Sequence, residues 1–511
     1  MKPPNIVYIL ADDMGYGDVS CLNPDSKIRT QHLDSLAAEG MKFEDAHASS
    51  AVCTPSRYSL LTGRYNWRSR LKESVLFGYA SHLIEPKRMT VASFLGGHGY
   101  HCAAIGKWHL GWDWATHDGE VAKADGSNVD FTGEVKNSPN SYGFDYAYAM
   151  AASLDIPPYV YVENGKVTAQ PDRVTKSSEK FSWWREGPTG ADFFHADVLP
   201  NFTRRAIDYV KERAEADEPF FLYFPLPAPH TPIMPTADYV GKSGTNPYGD
   251  FCLQVDGVVG QLKEVLEREG LVENTIFIFT SDNGCSPEAD FEELAAFGHK
   301  PSYVFRGHKA DIYEGGHRVP FIIRWPKVIE GGSSTQETVC LSDLLATCAD
   351  ILGDTLPPNA GEDSVSNLPV WKGETLDTSL REATVHHSLD GSFSIRKGKW
   401  KLEMCPGSGG WSYPKPGEES EGLPSVQLYD LNADIGEQRN LCGDFPEIVK
   451  ELTGLLTSYV ENGRSTPGPK QDNEGSPLWA QLWWMNDTGL TNVDERASSP
   501  KPHLDDVRFD A

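Results

Sequence analysis

Two acidic pairs, Asp12-Asp13 and Asp282-Asn283, each begin within three residues of the end of an apolar run, residues 5–10 and 275–279. Carboxylates brought together repel one another unless a cation neutralises them. Three carboxylates with one amide oxygen are a hard donor set that suits Ca2+ or Mg2+ better than zinc. Against them stand the basic side chains Arg57, Lys107, His109, His230 and Lys309. Lys107 and His109 alternate along a short extended segment that can bend at Gly106, and His230 follows the stiff Pro227-Ala228-Pro229. A hard metal, several cations and a nucleophile together suit the cleavage of an anionic oxyester, where negative charge grows on the nonbridging oxygens. Cys53, at the head of a helix-compatible stretch with Pro55 and Arg57, is the nucleophile candidate. Read alone, Cys53 is equally well explained as a buried structural thiol, and either acidic pair alone as a turn cap.

The elements that must position these residues follow from periodicity. Residues 5–10, 100–105, 219–226, 275–279 and 319–323 read as strands. Residues 30–39, 89–95, 198–214, 251–267 and 338–349 read as helices. Strands alternating with helices of this length predict βαβ units, a mostly parallel sheet and helices on both faces. In such α/β folds ligands sit beyond the carboxyl ends of the strands, where the acidic pairs and Lys107 fall. From about residue 375 the texture changes to short strands at 384–388, 393–397, 400–404 and 427–431, with a hairpin at Gly398-Lys399 and a helix at 445–461. The reading is a catalytic domain over residues 1–375 and a C-terminal subdomain over 376–511, whose tail from Gly463 onward wraps the body.

With 511 residues and 39% apolar side chains, the chain can bury one large α/β core and a smaller companion. Its formal net charge of −27 argues against a general nucleic-acid or anionic-membrane binder, while a few local cations can still dominate a pocket. The nine cysteines are scattered without a CxxC pair, which speaks against a zinc ribbon or a thioredoxin-like site and leaves one or two disulfides open. No run of 18 apolar residues is present to span a membrane.

Cys53-Thr54-Pro55-Ser56-Arg57, continued by Ser59-Leu60-Leu61-Thr62-Gly63, resembles the C-x-P-x-R signature of the type I, formylglycine-dependent sulfatases. Gly99-Tyr100 through Gly106-Lys107-Trp108-His109-Leu110-Gly111 resembles the family's second signature, and the likeness extends over at least residues 5–440. The resemblance implies an alkaline-phosphatase-like three-layer α/β/α sandwich with a smaller C-terminal antiparallel sheet and a packed helix. It implies that Cys53 is oxidised to formylglycine by a formylglycine-generating or anaerobic sulfatase-maturing enzyme. One hydroxyl of the hydrated aldehyde then attacks sulfur, and deprotonation of the other expels sulfate. It further implies that Asp12, Asp13, Asp282 and Asn283 bind Ca2+ and that Arg57 holds the nucleophile region. Lys107 and Lys309 would bind sulfate oxygens, His109 would assist deprotonation of the diol, and His230 would protonate the leaving alcohol.

Within the family the chain looks closest to bacterial polysaccharide sulfatases acting on galactose or N-acetylgalactosamine residues. The segment Ala152-Ser153-Leu154-Asp155-Ile156-Pro157-Pro158 carries that likeness. Asp155, Trp183, Trp184, His195 and Arg306 are candidates for the sugar-binding rim, because aromatic faces stack on sugar C–H surfaces and charged groups reach ring hydroxyls; packing explains each as well. Competing readings are an arylsulfatase or other small-molecule sulfatase, a phosphatase or phosphodiesterase on the same scaffold, and an inactive glycan-binding relative. A periplasmic or secreted protein is expected, with its signal peptide lying outside this sequence.

Overall fold

Alternate residues of the strand Asn5–Ala11 face two different hydrophobic cores. Ile6, Tyr8 and Leu10 enter one, and Val7, Ile9 and Ala11 enter the other. The period of two along a strand demands this, and near-continuous apolar runs are what a sheet covered on both faces requires. Each of the Ile, Val and Leu side chains among them contributes about 1.5–3 kcal/mol on burial. A computed structural model describes residues 2–488. Among these, ten strands form the main sheet in the order Ser333–Thr335, Met41–Phe43, Phe321–Arg324, Thr275–Ser281, Asn5–Ala11, Phe220–Pro225, His101–Lys107, Tyr146–Met150, Val162–Glu163 and Lys166–Val167. The five strands from Thr275–Ser281 to Tyr146–Met150 are parallel, whereas pairings toward the edges are mostly antiparallel.

One face is covered by the helices Gln31–Glu39, Val198–Ala214 and Pro247–Arg268, the other by Cys53–Thr62, Val91–Gly97 and Leu344–Leu352. Pro247–Arg268 starts earlier than its apolar period indicates. The Asn246 side chain accepts hydrogen bonds from the backbone of Tyr248 and Gly249, and Pro247 needs no donor at that position. The helix expected over 338–349 is shorter than its pattern. Val339–Cys340 instead pairs in parallel with Ala46–His47, and the Cys340 N–H donates to Asp343 Oδ2 at 2.9 Å before the helix begins at Leu344. A β-branched residue with an available edge outweighs the helical period there.

The strands Thr384–His387, Phe393–Lys397, Trp400–Glu403 and Gln427–Asp430 form the expected small antiparallel sheet, with the helix Pro446–Asn462 against its middle strands. Residues up to Gly475 make one compact unit. Its last stretch lies along residues 64–70: Arg68 Nη1 donates to Asn473 Oδ1 at 3.1 Å, and the Glu474 N–H donates to the Arg68 carbonyl at 2.7 Å. Ser476 opens a second unit, in which Trp483 and Trp484 meet edge to face with centroids 6.1 Å apart. The remainder of the expected wrapping tail, residues 489–511, lies outside the described residues. A two-stranded hairpin, Pro171–Ser178 with Trp183–Gly190, was not anticipated from periodicity. All nine cysteines are free. No described helix is long and apolar enough to cross a membrane.

Candidate active site

The parallel strands deliver the expected residues to one end of the sheet. Asp12 and Asp13 follow Asn5–Ala11, Asp282 and Asn283 follow Thr275–Ser281, Lys107 ends His101–Lys107, and His230 lies beyond Phe220–Pro225. Gly106 sits at φ +132°, and a Cβ there would fall 2.0 Å from the Pro225 carbonyl oxygen, so only glycine lets Lys107 lie this close to the neighbouring strand. Cys53 and Arg57 share one face of a helix buried along its whole length. Backbone hydrogen bonds fix the chain entering that helix: the Ala51 N–H donates to His387 O and the Ala310 N–H to Ala51 O, both at 2.8 Å.

Charges in the site alternate. Arg57 donates to Asp282 Oδ2 through Nε at 3.0 Å and Nη2 at 2.6 Å, and to the Lys107 carbonyl at 2.9 Å. Lys107 Nζ reaches Asp12 Oδ2 and Lys309 Nζ reaches Asp13 Oδ2, each at 2.7 Å. Asn283 Nδ2 donates to Asp13 Oδ1 at 2.7 Å. Against the cost of burial, Lys107, His230 and Arg57 hold the Asp12 carboxyl well below the usual carboxylate range. Burial, with Asp12 and Asp13 as like charges alongside, pushes Asp282 up to about 6 although Arg57 opposes it. Two oxygens accept no hydrogen bond in this buried cluster, Asp12 Oδ1, which has Arg57 Nη2 as a charged neighbour at 3.4 Å, and Asn283 Oδ1. Hard oxygens that accept no hydrogen bond among crowded carboxylates are what a divalent cation satisfies, so Asp12, Asp13, Asp282 and Asn283 fit one.

The two histidines differ in their free nitrogen. His109 Nε2 donates to the Leu76 carbonyl at 2.8 Å, which leaves Nδ1 a lone pair, and that atom is buried without a partner. Burial, with Lys107 and Arg57 close by, holds His109 well below its ordinary value, so it is neutral. Its φ of +56° marks a backbone held out of the favoured regions. His230 Nδ1 donates to the Thr231 carbonyl at 2.6 Å, so Nε2, 3.6 Å from Asp13 Oδ2, is the nitrogen facing the cluster. Burial pushes the Cys53 thiol up, with Lys107 and Lys309 pulling partly against it.

The rim residues divide. Asp155 lies 3.9 Å from His230 Nδ1, within reach of the cluster. Trp183 anchors its indole N–H on Glu288 at 2.8 Å. Trp184 stacks at 4.0 Å on His195, which is only 8% exposed and thus stands behind the aromatic surface. Arg306 packs on Tyr313 at 3.8 Å and donates to the Glu437 carbonyl at 2.7 Å, so its guanidinium is engaged with the C-terminal part. Sequence reasoning missed Arg185, which pairs with Asp155; the adjacent Trp183-Trp184 was the available signal.

A second buried cluster, His47, His317 and His386, brings ligand atoms within 4.8 Å of one another. The rings of His317 and His386 stack 3.9 Å apart and 9° from parallel, so their in-plane lone pairs diverge from any single ion. A hydrogen-bonded chain accounts for two of the three: Arg396 to His47 Nε2 at 3.0 Å, His47 Nδ1 to His317 Nδ1 at 3.0 Å, and His317 Nε2 to the Ile312 carbonyl at 3.2 Å.

Comparison with known proteins agrees with this geometry. A sequence model of the family described as Sulfatase matches residues 4–354. An N-acetylgalactosamine-6-O-sulfatase of Bacteroides thetaiotaomicron is 34% identical, over 89% of this chain and 93% of that protein. Human arylsulfatase A is 30% identical, over 98% of this chain and 96% of its own length. A solved structure reported with the metabolism of multiple glycosaminoglycans by Bacteroides thetaiotaomicron superposes with a TM-score of 0.79 at 34% identity, covering 90% of this chain and 99% of that one. The chain therefore belongs to the sulfatase family, and it is a sulfuric ester hydrolase.

Proposed function

We propose that the protein removes sulfate from a sulfated carbohydrate, with 6-O-sulfated N-acetylgalactosamine or galactose residues of an oligo- or polysaccharide as the substrate class. The relatives named for N-acetylgalactosamine-6-sulfate support that sugar. The observation that carries the chemistry is the charge pattern: three carboxylates interleaved with Arg57, Lys107 and Lys309, with Asp12 Oδ1 and Asn283 Oδ1 accepting no hydrogen bond. In this reading Asp12, Asp13, Asp282 and Asn283 hold Ca2+, which supplies positive charge where the sulfate oxygens become more negative. Cys53 is matured to formylglycine, whose hydrate supplies the attacking oxygen and a second hydroxyl for release of sulfate. A thiol pushed up by burial is a poor nucleophile, in keeping with Cys53 serving as a precursor.

The side chains then divide the work. Arg57 fixes Asp282 and the Lys107 carbonyl, and so the floor beneath the nucleophile. Lys107 Nζ and Lys309 Nζ donate to nonbridging oxygens of the ester. His109 Nδ1, a neutral lone pair, takes the proton from the nucleophile's hydroxyl. The imidazolium form of His230, its Nδ1–H held on Thr231 O, gives its Nε2 proton to the departing alcohol oxygen and is left neutral, a donation that a poor sugar leaving group requires. Asp155 and Trp183 contact the sugar, with Trp184 at the rim.

Residues 1–375 form the catalytic domain and 376–511 the C-terminal subdomain. Cys53 is 2% exposed, so the maturation enzyme must meet it before its helix packs. The protein works in the periplasm or outside the cell, where sulfated polymers are found. The test is co-expression with a formylglycine-generating enzyme, mass measurement of the Cys53 peptide, and sulfate release from defined sugar sulfates. An unmodified thiol together with full activity, or full activity in Cys53→Ser, would overturn the mechanism. Release from no sugar sulfate would overturn the substrate class.

A further inference from the structure

The hairpin Pro171–Ser178 and Trp183–Gly190 brings Arg185 onto Asp155, which follows the strand Tyr146–Met150. Arg185 Nη1 donates to Asp155 Oδ2, and the Arg185 N–H donates to the Asp155 carbonyl at 3.2 Å. Tyr159 ties both backbones, its hydroxyl donating to Arg185 O at 2.7 Å and approaching Asp155 O at 3.1 Å. The two residues are therefore held as one unit. Their exposed atoms are unequal: the Asp155 side chain is 8% exposed, whereas that of Arg185 is 27% exposed.

Asp155 Oδ1 is the telling atom. It is buried, has no hydrogen-bond partner, and lies 3.9 Å from His230 Nδ1. A desolvated carboxylate oxygen without a donor is costly, and a hydroxyl from a bound sugar would relieve that cost. It stands one imidazole ring away from the nitrogen assigned to the leaving oxygen, so the hydroxyl it meets belongs to a carbon close to the ester. The Arg185 guanidinium lies 5.2 Å from the Trp183 ring and 6.0 Å from that of Phe77, which is 41% exposed. Acceptor, cation and open aromatic face are the parts of a sugar subsite.

We propose that Arg185 is a specificity-determining residue: it locks Asp155 with Oδ1 free to accept the ring hydroxyl beside the sulfated arm, and its remaining N–H groups bind the same sugar. This rests on the sugar-sulfate reading above. For a 6-sulfate that hydroxyl is the one at carbon 4.

The test compares mature wild type with Arg185→Ala and Arg185→Lys on three substrates. These are an N-acetylgalactosamine 6-sulfate glycoside, its 4-deoxy analogue and 4-nitrophenyl sulfate. Arg185→Ala should lose about 30- to 100-fold in kcat/KM on the glycoside, mostly through KM, and at least tenfold less on the aryl ester. Removing the hydroxyl should cost wild type a similar factor and the variant little, because the two deletions break one interaction. Arg185→Lys should recover only part, lacking the planar fork. Equal losses on glycoside and aryl ester, or additive losses from variant and deoxy substrate, would overturn the assignment while leaving the sugar reading intact. A wild type that cleaves the aryl ester and no sugar sulfate would overturn both.

Discussion

Replacing His230 with alanine should separate substrates by the acidity of the alcohol they release. The structure anchors His109 and His230 alike, each giving one ring N–H to a backbone carbonyl, but turns a different nitrogen free in each. His109 gives its one N–H to Leu76 O, and burial keeps it neutral, so it can only accept a proton. His230 spends Nδ1–H on Thr231 O and turns Nε2 toward the cluster, 3.6 Å from Asp13 Oδ2; in the proposed mechanism its imidazolium form passes the Nε2 proton to the leaving group. A positioned general acid contributes about 10²- to 10⁴-fold, or about 2.7–5.4 kcal/mol at 1.36 kcal/mol per factor of ten. His230→Ala should lose that factor in kcat on an N-acetylgalactosamine 6-sulfate, whose alkoxide cannot leave unprotonated. On an aryl sulfate with an acidic phenol the loss should stay below about tenfold, because the phenolate departs without help. Since the proton moves only in the transition state, kcat and kcat/KM should fall together. Initial rates of sulfate release on both substrates provide the measurement. Equal losses on the two esters, or a loss carried by KM alone, would refute the assignment of the proton to His230.

Chelation should lower the melting temperature of the mature protein, and Ca2+ at a hundredfold over its dissociation constant should restore about 2.7 kcal/mol; identical melting with and without Ca2+ would remove the metal from the carboxylate cluster. Arg68→Ala should cost about 3–5 kcal/mol in urea unfolding, because Arg68 is buried and donates to both Asp363 oxygens, at 2.8 and 2.9 Å; a cost below about 1 kcal/mol would show that the pair can be dispensed with. Burial holds His195 at about 4 against the ordinary 6.5. As pH falls from 6.5 toward 4 the unfolded chain takes up a proton that the folded chain refuses, so this contribution is intact above 6.5 and lost below it, by at most about 3 kcal/mol. His195→Gln should flatten the stability profile in that window, and an unchanged slope would refute the account.

The convergence of the candidate residues was legible because its physics is local. An apolar run buried on both faces must be a strand, its carboxyl end must be the binding edge, and four residues on a helix must place Arg57 on the face of Cys53. The arrangement of the candidate rim residues was not legible, because their contacts obey no period. Asp155 and Arg185 meet across a hairpin whose first strand, Pro171–Ser178, alternates exposed and half-buried residues without an apolar face. His195 and Arg306 read as rim groups from their chemistry alone. The one is stacked beneath Trp184 and the other is held by Tyr313 and Glu437, because a flat ring or a guanidinium serves packing as readily as recognition. The helix expected over 338–349 lost its first turns for a related reason: a strand of two residues, Ala46–His47, offers no sequence signal that a partner is waiting for Val339.

The matched family region ends at residue 354, yet the geometry around Cys53 depends on chain beyond it. The carbonyl of His387, at the end of the first strand of the small sheet, accepts from the Ala51 N–H; the Ala51 carbonyl accepts from Ala310, and the Ala310 carbonyl accepts from Leu389. Three segments are thus laced together by backbone hydrogen bonds two residues from Cys53 and one from Lys309. Behind them Lys401 Nζ donates to Glu437 Oε1 at 2.7 Å and to the Ile312 carbonyl at 2.9 Å, and the Glu314 N–H donates to Glu437 Oε2 at 2.8 Å, all fully buried. Breaking a buried, paired charge leaves its partner uncompensated, so this network resists sliding of the small sheet on the large one. The separation between Cys53 and Lys309 is fixed by the C-terminal sheet as much as by the strands that carry the acids. Truncation before residue 384 would leave every residue of the candidate catalytic set in the chain and remove the lacing that sets their distances.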